Sequence, residues 1–139
     1  MTSGSGDRQD SPEIDRPEVH AELRATFERY EAALVANDVD VLDELFWDDA
    51  RTERIGVSDR QRGFAEVRAY RRSLDRQTPP RRLDGLAITT FGDHTAVVTT
   101  EFVPDDGLTP IGRQSQTWIR FPEGWRVVAA HVSWPAAPD

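Results

Sequence analysis

Two residues in the first half of the chain carry side chains suited to binding and protonating a small anion. Tyr30 lies in a run of apolar residues at helical spacing, between Phe27 and Leu34. Its hydroxyl either reaches the rim of an ordinary apolar core or acts as a donor or general acid in a pocket. Arg54 lies in a short extended segment. Its guanidinium either holds a carboxylate through two parallel hydrogen bonds or forms a surface ion pair, and spacing alone favours the ion pair.

Three other side chains are candidates for the lining of a substrate pocket. Arg71 borders the apolar stripe of a predicted helix, so it either enters a cavity or extends to water with its stem on the core. Trp47 follows the apolar end of a second helix and is either the floor of a cavity or a core residue. His131 lies on a mostly apolar strand, where a histidine is more often a hydrogen-bonded core group than a catalyst.

Two glutamines on one strand face are the remaining polar candidates. Gln114, Gln116 and Trp118 alternate along one predicted strand and therefore share a face. Glutamine is unusual on a core face. The set indicates either a polar pocket wall, with Gln116 as a substrate-binding residue, or a wet interface between two copies of the chain.

The composition excludes several other kinds of site. The chain has 139 residues, no cysteine and 17 basic residues, all of them arginine. Disulfides, thiolate chemistry, Schiff-base catalysis and a phosphate loop with its lysine are therefore excluded. The three histidines have no metal-ligand spacing, so we expect no metal site. A formal net charge of -8 argues against nucleic acid as a partner.

The elements that position these side chains form one predicted α+β domain, residues 16–134, between a disordered tail of residues 1–15 and a short C-terminal tail of residues 135–139. Apolar spacing predicts helices at about 17–37 and 41–46, an extended segment at 51–57, and a third helix from Gly63 to the Pro79–Pro80 pair. Strands follow at 83–91, 95–103, 111–121 and 125–134, separated by turn residues. Helices first and strands afterwards predict three helices on a curved, mostly antiparallel sheet.

Such a sheet, folded partly around a long helix, leaves a cone with one open end, which suits a small ligand. In the last strand both alternating sets of residues are largely apolar, so the other sheet face also needs a cover. We therefore expect a homodimer through the open sheet face. No segment has the character of a signal peptide or membrane span. We expect a cytoplasmic protein without membrane contact.

The closing stretch, residues 112–133 (GRQSQTWIRFPEGWRVVAAHVS), closely resembles the AtzH/HpxZ family of small bacterial proteins within the NTF2-like (SnoaL-like) superfamily. Four earlier segments resemble that family as well: 16–19 (RPEV), 27–34 (FERYEAAL), 42–47 (LDELFW) and 51–56 (RTERIG). The resemblance covers nearly the whole predicted domain and implies the α+β cone of the superfamily.

The resemblance also implies a function in the catabolism of nitrogen-rich carboxylated ureas, of the cyanuric acid or oxalurate type. It implies a cofactor-free amidase or decarboxylase that converts a small anionic substrate, such as a 1,3-dicarboxyurea, to an allophanate-like product. The functional tyrosine and arginine of the family fall on Tyr30 and Arg54. Arg62 and Leu74 stand where the family usually has an aromatic residue and an arginine. These departures alter the far wall of the pocket and leave open a substrate other than a dicarboxyurea.

Two other function classes are compatible with the same superfamily. One is a non-catalytic binding module or a dimeric assembly module, since the superfamily contains oligomerisation hubs. The other is a cyclase or isomerase on an apolar substrate, which needs an acid–base group deep in the cone. His131 is the candidate for that group, whereas the arginine-bearing cavity favours the anionic substrate.

Overall fold

The computed structural model describes residues 11–74 and 78–135. The first helix, α1 (Pro17–Ala36), begins with proline at its first position, which suits the helix because that N–H has no partner there. Its buried face carries Val19, Leu23, Phe27, Tyr30 and Ala33. Asn37 ends the helix in the left-handed conformation, with φ of 55°. The predicted first helix is confirmed.

Two short helices complete the helical layer. In α2 (Val39–Leu45) the side chain of Asp38 accepts a hydrogen bond from the Val41 N–H at 3.3 Å, as a helix cap does. The third helix, α3 (Phe64–Ser73), begins after Gly63. It ends before the Pro79–Pro80 pair, so the predicted end was too late. Leu74 is extended, with φ of -74° and ψ of 128°, so the helix ends at Ser73.

The sheet has six strands in the order β2-β1-β6-β5-β4-β3. Their bounds are β1 Glu53–Ile55, β2 Arg60–Arg62, β3 Arg81–Phe91, β4 Thr95–Pro104, β5 Gly112–Phe121 and β6 Gly124–Ser133. All neighbours pair antiparallel except β1 and β6, which are parallel. The four long strands confirm the prediction within two residues at each end. Strand β2 was not predicted, because three residues reading Arg-Gln-Arg carry no apolar alternation.

The helices cover one face of this sheet, and the core lies between the two layers. The largest fully buried side chains include Trp118, Phe27, Leu23, Leu42 and Leu45. The opposite face has no covering element among the described residues, and along β5 and β6 it carries Ser115, Thr117, Ala129 and His131. The α+β architecture with helices on one side of a mostly antiparallel sheet is therefore as predicted.

The folded part begins before the predicted boundary at residue 15. Ile14 forms an isolated antiparallel bridge with Phe91. Asp15 donates its N–H to the Thr90 carbonyl at 3.0 Å, and its carboxylate accepts the Thr90 N–H at 2.8 Å. These bonds hold the segment against the edge strand β3. The rest of the two predicted tails, residues 1–10 and 136–139, lies outside the described residues.

None of the helices within the described ranges combines the length and hydrophobicity needed to span a membrane. The cytoplasmic location stays a prediction.

Candidate functional site

A cavity of about 280 Å³ opens between α1, α3, the β1–β2 hairpin and the inner face of the sheet. This volume lies near the lower end of the range for small-molecule sites, which suits a ligand of few heavy atoms. Its polar lining comprises Tyr30, Arg54, Tyr70, Arg71, Arg81 and Gln114, together with Asp59, Ser58 and Thr78. The structure thus brings Tyr30, Arg54 and Arg71 to one cavity, as the sequence interpretation requires.

Tyr30 is held in place by aromatic rings. Its ring lies edge-on to Trp118 with centroids 5.9 Å apart, and it packs against Phe46 and Phe27 at 6.2 and 6.3 Å. Aromatic pairs favour offset or edge-to-face geometry, and they stabilise the fold by more than the burial of their apolar surface alone. The ring is buried, while the residue borders the cavity.

Arg54 forms an ion pair, one of the two interactions that the sequence left open, and its side chain also lines the cavity. It forms an ion pair with Asp59 at 3.1 Å, and its side chain is only 14% exposed. The same nitrogen donates to the side-chain oxygen of Gln61 at 2.9 Å, and the guanidinium lies 4.4 Å from the centre of the Tyr70 ring. Arg54 is therefore both an ion-pair partner and part of the cavity wall.

The carboxylate beside Arg54 is stabilised in its charged form. Burial raises the pKa of Asp59, but hydrogen bonds from Gln61, Arg54 and Tyr70 and the charge of Arg54 outweigh burial. The net pKa of Asp59 lies below its ordinary value. At neutral pH this carboxylate is ionised and balances the charge of Arg54.

Arg71 lies on α3 and is 6% exposed, so it enters the protein rather than extending to water. Its guanidinium lies 4.9 Å from the centre of the Phe46 ring. The buried Nε has no hydrogen-bond partner, and none of the ion pairs among the described residues includes Arg71. Arg71 thus lines the cavity with a largely buried positive charge, and its buried Nε is an unpaired donor among the described residues.

The sequence analysis missed Arg81, because the first of the four predicted long strands began at residue 83. Its side chain is 4% exposed and donates to both carboxylate oxygens of Glu31, at 2.6 and 2.9 Å. It also donates to the Gln114 side-chain oxygen at 2.9 Å. The signal was present in the sequence, because Arg81 shares the inward alternation of Leu83.

Gln114 faces the cavity from β5 and is 6% exposed. Because its oxygen already accepts from Arg81, the orientation of the amide follows from that bond. Its Nε2 is buried and has no hydrogen-bond partner among residues 11–74 and 78–135. Two residues that line the cavity, Arg71 and Gln114, therefore each carry a buried nitrogen donor without an acceptor in that part of the chain.

Three of the predicted site residues lie away from this cavity. Trp47 lines a separate cleft, where its indole stacks on Phe121 with centroids 5.5 Å apart. Gln116 is buried, and its oxygen accepts the indole N–H of Trp118 at 3.0 Å. It faces the helices, so its interpretation as part of a wet interface between copies was wrong.

His131 is exposed on the outer sheet face, so both the core interpretation and the cavity interpretation were wrong. The reason is a bulge between β5 and β6. Thr117 pairs with Ala129, but Trp118 pairs with Val127, which leaves Val128 as an extra residue. Strict alternation from the buried Val127 would turn Ala129 and His131 inward. The extra residue reverses the alternation, so both face outward.

Within the described ranges, no three His, Asp or Glu side chains are grouped as a metal site requires. The absence of a cofactor requirement stays a prediction.

The fold is that of NTF2-like proteins, as the comparison with solved structures shows. An NTF2-like protein of unknown function from Pseudomonas putida matches with a TM-score of 0.74 at 19% identity, over 88% of this chain and 90% of that chain. An NTF2-like superfamily protein from Salmonella enterica matches with a TM-score of 0.69 at 26% identity, over 88% and 94%.

The AtzH-like family model matches residues 12–137, and the chain belongs to the AtzH-like family. A protein of unknown function from the DUF3225 family of Pectobacterium atrosepticum is 48% identical, with a TM-score of 0.85 over 88% of this chain and 95% of that chain. A cystatin-like fold protein from Burkholderia xenovorans is 43% identical, with a TM-score of 0.85 over 91% and 99%. None of the curated proteins compared matches the chain. The family and superfamily predicted from the sequence are confirmed.

Proposed function

We propose that this protein is a cofactor-free enzyme that binds a small anionic carboxylated urea in the cavity of Tyr30, Arg54 and Arg71 and removes its N-carboxylate. The observation that carries the proposal is the pair of buried donors without acceptors, Arg71 Nε and Gln114 Nε2. A buried donor left unpaired costs about 1–3 kcal/mol. A carboxylate oxygen and a neighbouring carbonyl oxygen supply the two missing acceptors.

The reaction is a C–N cleavage that needs one proton. The bond between the carboxylate carbon and the urea nitrogen breaks, its electron pair stays on nitrogen, and the carbon leaves as carbon dioxide. The nitrogen gains the proton, so that R–NH–COO⁻ and H⁺ become R–NH₂ and CO₂. Attack by water gives bicarbonate instead, which is the amidase form of the same cleavage. The family resemblance suggests a 1,3-dicarboxyurea and an allophanate as one substrate and product pair.

Three residues of the cavity have different roles in the proposed reaction. The positive charge of Arg71 attracts the carboxylate of the substrate. The site is partly closed to water, where this electrostatic attraction is stronger than in bulk solvent. Tyr30 delivers or orients the proton for the leaving nitrogen, directly or through water. Arg54 supplies further positive charge at the same wall, balanced by Asp59.

The placement of His131 disfavours the isomerase alternative. That reading needs an acid–base group deep in the cone, and its candidate, His131, lies exposed on the other face of the sheet. The buried arginines of the cavity suit an anion better than an apolar substrate.

We also propose that the protein forms a homodimer through the outer sheet face. The face carries small and apolar side chains along β6 and β1, including Val128, Ala129 and Ile55. No element covers this face within the described ranges. In a twofold-symmetric dimer, the same face of a second copy would cover it. A non-catalytic assembly module would use the same surface. The oligomeric state therefore does not distinguish the enzyme from the assembly module, whereas ligand binding does.

The proposal is tested first by binding, with Arg72 as a matched control for Arg71. Arg72 is the next residue on α3, but it lies outside the cavity and pairs with Asp43 at 2.6 Å. We expect malonamate, an allophanate analogue, to raise the thermal midpoint of the wild type and of Arg72→Gln. Arg71→Gln should lose the shift at the same concentration. No shift with malonamate or N-carbamoylglycine in the wild type would favour the assembly module.

A further inference from the structure

A second cavity, with a volume of about 420 Å³, adjoins the cavity of Tyr30 and Arg54. The two cavities share three lining residues, Tyr70, Thr78 and Trp134. We call the cavity of Tyr30 and Arg54 the inner cavity and the second one the outer cavity. Because they share part of their walls, a ligand that fills the inner cavity can continue into the outer one.

The shared Tyr70 is held firmly on the side of the inner cavity. The Arg54 guanidinium lies 4.4 Å from the centre of the Tyr70 ring. The Tyr70 hydroxyl donates a hydrogen bond to the Asp59 carboxylate. A ligand that extends past Tyr70 therefore meets a fixed aromatic ring.

Exposed apolar side chains gather around these two cavities. Among residues 11–74 and 78–135, six large apolar side chains are exposed. Three of them, Val57, Leu74 and Trp134, line one or both of the cavities. Apolar side chains that are exposed singly need no ligand, whereas a group of them at a concave surface commonly marks a binding site.

Two polar side chains of the outer cavity are already hydrogen-bonded to each other. The Asp106 carboxylate accepts the backbone N–H groups of Leu108 and Thr109, each at 2.9 Å, and also accepts the Thr109 hydroxyl proton. These bonds stay within one turn of the chain. The surface that remains for a ligand is therefore mainly apolar and aromatic.

Resting on the function proposed above, we infer that the outer cavity binds a flat apolar substituent on the far nitrogen of the carboxylated urea. The substrate class is R–NH–CO–NH–COO⁻, in which R is an aryl or arylalkyl group that packs against Tyr70 and Trp134, since aromatic rings favour such contacts. The proposed cleavage takes up one proton and gives R–NH–CO–NH₂ and carbon dioxide. Ureas without this substituent, the dicarboxylated one included, occupy the inner cavity alone.

The test compares malonamate with N-benzylmalonamate, which have the same carboxylate and differ by a benzyl group on the amide nitrogen. Isothermal titration should give at least about tenfold tighter binding of N-benzylmalonamate, because its ring moves from water into the outer cavity. Equal or weaker binding of N-benzylmalonamate would overturn the outer subsite and leave the anion site of the proposed function standing. Binding of neither compound would overturn both.

Leu74→Gln tests where the benzyl ring binds. Of the two cavities, Leu74 lines only the outer one, and its side chain is 41% exposed on extended backbone after α3, so the variant should fold. The preference for N-benzylmalonamate should fall several-fold, while malonamate should bind as it does to the wild type. Leu108→Gln is the matched control, because Leu108 is 88% exposed and lines neither cavity. It should keep the full preference.

Two results with Leu74→Gln would contradict this assignment. An unchanged preference would place the benzyl ring outside the outer cavity. A change of oligomeric state in gel filtration would show that a second copy of the chain, and not a ligand substituent, covers the outer cavity.

Discussion

At the residue scale, Tyr30 differs from the arginines because its hydroxyl, not its charge, is its means of acting on a ligand. Its ring is held by Phe27, Phe46 and Trp118. Phenylalanine keeps all three ring contacts, so Tyr30→Phe should fold and bind malonamate as the wild type does. Loss of a proton donor typically lowers the rate about 10²- to 10⁴-fold. We expect that loss in the release of ¹³C-labelled carbon dioxide from an N-carboxylated urea, followed by NMR.

The two readouts for Tyr30→Phe separate catalysis from packing. A variant that loses both binding and turnover would indicate a damaged cavity wall. A variant with the turnover of the wild type would remove the Tyr30 hydroxyl from the mechanism and leave Arg71 and Gln114 as a binding site.

At the element scale, the start of α3 determines where Arg71 enters the cavity. Gly63, the residue before the helix, has φ of 89°, and a Cβ there would lie 3.3 Å from the Ala50 carbonyl oxygen. Gly63→Ala therefore adds a close contact to the cost of a backbone conformation that is essentially restricted to glycine, with ψ of 148°, and that conformation costs about 1–3 kcal/mol by itself. We expect a lower free energy of unfolding in urea and weaker malonamate binding.

Gly85→Ala is the control for this prediction. Gly85 also has a positive φ, 68°, but a Cβ at that position meets nothing within 4 Å. It should lose only the conformational part of the stability. If Gly63→Ala is no more destabilising than Gly85→Ala, the contact with Ala50 does not constrain the helix start.

At the scale of the whole molecule, the uncovered sheet face predicts how copies associate. Ala129 is exposed near the middle of that face, on β6. Ala129→Arg places a long charged side chain where two copies would meet, and burying it unpaired is unfavourable. Light scattering after gel filtration should show a dimer for the wild type and a monomer for the variant.

Ala25→Arg serves as the comparison, since Ala25 is exposed on α1, in the helical layer on the other side of the sheet. It lies outside the proposed interface and should leave the dimer intact. A monomeric wild type, or a dimeric Ala129→Arg, would contradict an interface on this face.

Features that depend on neighbours along the chain are predictable from the sequence alone. Pro17 and Asn37 mark the ends of α1, Asp38 caps α2, and apolar alternation places the four long strands, because these signals act over a few residues. The same local periodicity turned Gln114 inward and aligned Tyr30 with the core face. The family segments extended this to the fold and the AtzH-like family.

The charge of the cavity and the direction of His131 depend on contacts between separate elements. Arg81 meets Glu31 across 50 positions of sequence, and no local pattern predicts which carboxylate balances which arginine. Arg71 is left over because Asp59 and Glu31 are taken. His131 points outward because one extra residue, Val128, shifts the pairing of β6 with β5. Ion pairing and strand register depend on distances between separate elements, which spacing along one element does not contain.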